Sequence, residues 1–169
     1  MRILTIAVWA ACLLRGVPAY TQSRVSLDHR EAVYYADAYS DHYHVPRELV
    51  HAIITQESNW RADALSEKGA LGIMQLMPAT AARFGVRDPF SLANNIGGGV
   101  RYLAELMQEF KGELRLVVAA YYCGSRHVTD LSYSNSAVLS YVASVRRLYR
   151  EEAAWHQNHA AANSHLGEQ

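Results

Sequence analysis

At 169 residues, with 16 Lys or Arg against 16 Asp or Glu, the chain suits one domain and carries no formal net charge. That balance gives no support to nucleic-acid binding or to steering onto an anionic surface. Two cysteines, Cys12 and Cys123, are too few for a disulfide framework, so stability must come from a packed core.

The chain opens like an export leader. Met1-Arg2 gives a positive start, Ile3 to Leu14 is twelve residues broken only by Thr5, and Val17-Pro18-Ala19 offers small residues where a signal peptidase reads. Cleavage is expected after Ala19. A membrane anchor fits less well, because twelve helical residues reach only about 18 Å against a hydrocarbon core roughly 30 Å thick. A lipoprotein signal at Cys12 would leave too short an apolar run before the cysteine. Removing residues 1–19 takes away two arginines and Cys12, leaving 150 residues with a charge near −2 and one cysteine, Cys123, read as a small hydrophobe.

The apolar pattern after the leader is helical, with no convincing alternating strand. Asp28 to His44 carries Ala32, Tyr35, Ala36 and Tyr39 at helical spacing, which reads as a half-buried amphipathic helix. Val45-Pro46 breaks it, and Pro46 is expected at the first position of a second helix reaching Ser58. Along that helix Leu49, Ile53 and Glu57 recur every four residues, with Val50 and Ile54 beside them. A core stripe thus ends in a carboxylate. Partial burial and the negative end of the helix dipole both disfavour its ionised form, as a general acid requires. The alternative from the helix alone is a structural glutamate paired with Arg61 or Arg101.

Asn59 to Pro78 is too rich in glycine and small polar residues for a helix, and Gly69 and Gly72 permit a tight turn close to a ligand. Met74 and Met77 read as core filler, whereas Gln75 between Met74 and Leu76 must find a buried partner or face a groove. A short helix over Ala79 to Phe84 follows. Asn94 or Asn95 is expected to cap a longer helix reaching Phe110, with Gly97-Gly98-Gly99 serving close helix packing. The glycines lack the lysine-serine or lysine-threonine of a phosphate-binding loop. Leu114 to Tyr122 forms another helix before Gly124, and Ser136 to Trp155 the last one, with Arg146, Arg147 and Arg150 on a solvated face. The domain is therefore drawn over residues 20–155, and the polar, alanine-rich residues 156–169 read as a disordered tail without a metal-binding histidine pattern.

Together, Glu57-Ser58, Ser66 with Gly69-Ala70, Gly72-Ile73-Met74-Gln75-Leu76-Met77-Pro78, Asn95-Ile96, Tyr102-Leu103, Ala119-Ala120-Tyr121 before Gly124, and Tyr141-Val142 resemble the catalytic domain of the soluble lytic transglycosylases. That family is a branch of the lysozyme-like superfamily near goose-type lysozyme, and the resemblance covers about residues 30–150. It implies a mainly α lysozyme-like domain with a groove, a glycine-containing loop and little or no β structure. It further implies non-hydrolytic cleavage of the β-1,4 bond from N-acetylmuramic acid to N-acetylglucosamine in peptidoglycan, with no cofactor and no metal. Glu57 would be the sole acid and base, where a two-carboxylate glycosidase needs a second acid across the cleft. Asp63 and Glu67 lie in the adjacent loop, where the family places none.

By the same resemblance Ser58 would orient Glu57 or its helix end, and Ser66 would hydrogen-bond substrate. Met74 and Gln75 would line the sugar subsites, Tyr121 would hydrogen-bond near the carboxylate, and Tyr141 would close the far wall. Two departures stand out. The family usually continues Asn-Ala-Gly after Ala-Ala-Tyr, whereas this chain has Tyr122-Cys123-Gly124, which puts a phenol among the substrate contacts. Many members carry Glu-Thr where Ala137-Val138 stand here. The expected setting is the bacterial periplasm, with glycan strands as substrate and, from the small size, a secretion, pilus or conjugation apparatus as partner. A goose-type hydrolase and a catalytically weak glycan-binding scaffold subunit are the alternatives.

Overall fold

The computed structural model describes residues 19–129 and 135–166, with side chains over 27–128 and 135–159. The expected leader lies outside these residues except for Ala19, as does Cys12. Among the described residues seven helices follow one another, α1 (Ala19–Tyr43), α2 (Arg47–Ser58), α3 (Pro78–Arg83), α4 (Leu92–Glu109), α5 (Leu114–Cys123), α6 (Ser125–Thr129) and α7 (Ser136–Leu166). Among the described residues there is no strand, only isolated bridges joining Leu65 to Leu71 and Leu71 to Leu76. The mainly α lysozyme-like architecture expected from the periodicity and the resemblance is the one observed. No helix among the described residues is long and apolar enough to cross a membrane.

The core forms around α2, which packs against α1 and α7, while α4 packs against α1 and α5, and α5 against α7. Leu49, Val50, Ile53 and Ile54 of α2 are fully buried, as are Val100 and Leu103 of α4 and Val117 of α5. Each such side chain contributes about 1.5–3 kcal/mol of apolar burial. Tyr35, Tyr39 and Tyr43 stack along α1 at centroid separations of 6.2 and 6.3 Å, half-buried against the core. The three glycines of α4 serve packing as expected. A Cβ on Gly98 would strike Val86, and one on Gly99 would strike Met74.

Several boundaries differ from the sequence reading. Pro46 sits at the N-cap of α2 rather than inside it. Helix α4 begins at Leu92 with Ser91 as its cap, its hydroxyl accepting from the Asn94 backbone N–H, so neither Asn94 nor Asn95 caps it. Asn95 is instead buried. Helix α7 continues past Trp155 to Leu166, through residues read as a tail. Alanine is the strongest helix former, and the Trp155 and His159 rings stack one turn apart at 4.0 Å.

Candidate active site

Glu57 occupies the last turn of α2, which Asn59 ends in the left-handed conformation at φ +51°. The stripe of Leu49 and Ile53 aims this face of the helix at the core, so the carboxyl arrives half-buried at the floor of a groove of about 600 Å³. Neither arginine pairs with it. Arg61 Nε donates to the Ser58 carbonyl at 3.1 Å, Arg101 Nε to the Gly97 carbonyl at 3.2 Å, and among the described residues Glu57 has no ion-pair partner. That removes the structural-glutamate alternative.

Its partner is Tyr141 of α7, whose hydroxyl donates to Glu57 Oε1. Burial pushes the carboxyl from the ordinary 4.5 up to about 7, and the Tyr141 hydrogen bond, which favours the ionised form, pulls it back only in part. Burial and the neighbouring Glu57 charge hold both the Tyr141 and the Tyr121 phenols well above their usual range, so both remain donors. Cys123 also lines the groove, and burial raises its thiol, which leaves it a weak nucleophile.

The facing wall is the loop from Asn59 to Met77. Ser66 organises its tip: its backbone N–H donates to Ala70 O at 3.0 Å and its hydroxyl accepts from Ala70 N at 2.9 Å. Leu71 and Leu76 exchange two backbone hydrogen bonds at 2.9 and 3.0 Å, closing a tight turn with Gly72 at φ +74° and Gln75 at φ +49°. Gly72 is required twice over, since a Cβ there would also strike Pro89 O and the Asn95 amide. The left-handed Gln75 is held by its own amide, which donates to Ala64 O at 3.0 Å and Gly72 O at 2.8 Å.

Three side chains from outside pin this turn. Ser58 Oγ donates to Ile73 O at 2.7 Å, and Tyr121 OH to Met74 O at 2.8 Å. Asn95 accepts from Met74 N at 2.9 Å and donates to Leu71 O at 2.9 Å and Pro89 O at 2.7 Å. A buried amide with three satisfied partners is a cross-link between α4 and the loop.

Of the residues expected at the site, Glu57, Ser66, Gln75, Tyr121 and Tyr122 line the groove. Ser58 does not. It is 4% exposed and faces Ile73, so it orients the helix end against the loop rather than meeting substrate. Met74 is fully buried against Gly99, because the left-handed turn directs it inward and leaves Met77, 46% exposed, at the groove instead. Tyr121 bonds the Met74 carbonyl, and Tyr141 sits behind the carboxyl it contacts rather than serving as an outer wall. Met77, read from sequence as core filler, is exposed at the groove instead, and Lys68 at the groove was not singled out there. Nor was the role of Asn95, although its place on the Gly99, Leu103 and Leu106 face of α4 marks it as a polar residue inside a core stripe. Among the described lining residues Glu57 is the only carboxylate, while Asp63 and Glu67 are exposed and do not line the groove.

Residues 34–141 match the family model of the transglycosylase SLT domain. The chain belongs to that family. An SLT-domain relative, the membrane-bound lytic murein transglycosylase F of Desulfosudis oleivorans, is 38% identical over 89 residues, covering 49% of this chain and 20% of the relative. A solved structure, the inactive glutamate-to-glutamine mutant of the lytic transglycosylase Slt from Pseudomonas aeruginosa, superposes with a TM-score of 0.61 at 26% identity. It covers 72% of this chain and 23% of that one. This SLT chain thus spans about a fifth of the length of the relatives it matches.

Proposed function

We propose that this SLT domain is a peptidoglycan lytic transglycosylase that cleaves the β-1,4 bond from N-acetylmuramic acid to N-acetylglucosamine and leaves a 1,6-anhydromuramyl end. The observation that carries the reading is a lone groove carboxyl whose pKa is raised to about 7 and which accepts a hydrogen bond from a buried phenol. An acid tuned near the working pH is populated both as donor and as acceptor, so it can serve both halves of the reaction.

Glu57 donates its proton to the glycosidic oxygen as the bond from C1 breaks. The substrate's acetamido oxygen closes on C1 and holds the positive charge. The Glu57 carboxylate then takes the proton of the muramyl C6 hydroxyl, whose oxygen displaces the acetamido group and closes the anhydro ring. Glu57 ends as it began, protonated. No second carboxylate and no water enter this sequence. Tyr141 steadies the carboxylate between the two steps by donating to it, and Ser66, Gln75, Tyr121 and Tyr122 supply groove contacts.

Mass spectrometry of digested sacculi tests the reading. Anhydro ends, one water lighter than reducing ends, are expected from wild type and not from Glu57→Gln. Reducing ends would make the domain a hydrolase, and equal, negligible release by both proteins with retained sacculus binding would make it a scaffold. Residues 1–19 support export to the periplasm. We carry the proposal as far as service to a secretion, pilus or conjugation apparatus, for which loss of assembly in cells carrying Glu57→Gln is the test.

A further inference from the structure

Of the groove side chains that depart from the family pattern, one stacks on the partner of the catalytic carboxyl. Tyr122, next to the end of α5, is 44% exposed and lines the groove. Its ring stacks on that of Tyr141, with centroids 4.5 Å apart and planes 27° from parallel. Tyr141 is only 7% exposed and hydrogen-bonds Glu57. One face of Tyr122 therefore covers the phenol that holds the catalytic carboxyl, and the remainder of the ring meets solvent.

We propose that Tyr122 is a positioning residue, an aromatic lid that seals the Tyr141–Glu57 pair from bulk water so that the carboxyl enters the reaction protonated. An asparagine, which the soluble lytic transglycosylases usually carry here, has too little surface to stack and brings polar atoms that attract water to the same place. The consequence runs through solvation. Water admitted beside Glu57 favours the charged carboxylate and so lowers the pH at which the proton leaves. The other titratable groups sharing the groove do not substitute for this effect. Tyr121 and Cys123 of α5, Tyr102 of α4 and Tyr141 of α7 are neutral there, and Lys68 of the loop is exposed.

The inference deepens the lytic reading of this site, so its test includes a measurement that needs no lysis. Glu57 is titrated by carbon-13 NMR of carboxyl-labelled, unliganded protein, alongside the pH dependence of lysis, for wild type, Tyr122→Asn and Tyr122→Phe. Wild type and Tyr122→Phe are expected to share a midpoint near 7, because the ring is retained. Tyr122→Asn is expected to titrate about one pH unit lower, and its ratio of lytic rate at pH 8 to that at pH 5 to fall about tenfold. A Tyr122→Asn midpoint within about 0.2 pH unit of wild type, in protein whose circular dichroism matches wild type, overturns the inference. So does a rise in KM that is equal at every pH with an unmoved midpoint, the signature of a plain sugar contact. If Tyr122→Asn fails to fold, Tyr122→Leu takes its place, with a midpoint between those of Phe and wild type on one side and water-exposed glutamate on the other. Absence of lysis by wild type at every pH would count against the lytic reading alone, and the titration would still decide the role of Tyr122.

Discussion

Replacing Glu57 with glutamine should stabilise the protein above neutral pH and leave its stability nearly unchanged in acid. The folded carboxyl titrates near 7 where an ordinary one titrates at 4.5, a difference of roughly 3 kcal/mol at about 1.4 kcal/mol per pH unit. Between those two values the folded state binds more protons than the unfolded chain, so stability falls as pH rises from about 4.5 and levels off above about 7. Glutamine keeps an oxygen for the Tyr141 hydroxyl and carries no charge at any pH. The mutant should therefore match wild type near pH 4 and exceed it by up to roughly 3 kcal/mol at pH 8, a Tm gain of about 6–12 °C for a domain of this size. Urea unfolding at one-unit steps from pH 4 to pH 8 measures it. A stability difference that is constant across that range would refute the account, since only a pH-dependent gap follows from a buried ionising group. The wild-type fold tolerates the cost because Leu49, Val50, Ile53 and Ile54 on the same helix contribute about 1.5–3 kcal/mol each.

Tyr141→Phe removes the hydroxyl that favours ionised Glu57, so the carboxyl midpoint should rise above 7 by on the order of one pH unit, opposite in sign to the effect of Tyr122→Asn; the same carbon-13 titration reads both. Asn95→Ala strands the Met74 N–H and the Leu71 and Pro89 carbonyls, and should cost on the order of 3 kcal/mol in urea unfolding; a loss below about 1 kcal/mol would mean that Asn95 is not a cross-link.

The helical course of the chain was legible because its apolar residues repeat at helical spacing, and the half-buried place of Glu57 was legible because it ends such a stripe. Its decisive neighbour was not. Tyr141 lies 84 residues away, and only the docking of α7 on α2 brings its hydroxyl to the carboxyl. The loop misled in a different way. Met74 and Met77 look equivalent in sequence, but the positive φ of Gly72 and Gln75 turns one into the core and the other into the groove. The use of the Ser58 hydroxyl was not legible either, since the Ile73 carbonyl that it binds is 15 residues away and is brought to it only by the fold of the loop. Residues from His156 onward were read as a tail because their polarity was given more weight than their alanine content, which favours the continued helix of α7.

The way the groove loop is fastened bears on how such a site evolves and how it can be edited. Ser58, Tyr121 and Asn95 hold the loop by its backbone at Leu71, Ile73 and Met74, from three separate helices. The exposed side chains of Asp63, Leu65, Glu67 and Lys68 take no part in that fastening. Backbone shape and exposed side-chain identity are thereby uncoupled. Of these four only Lys68 lines the groove, so varying it changes what the groove presents while the acid, its phenol and the turn that faces them stay where they are.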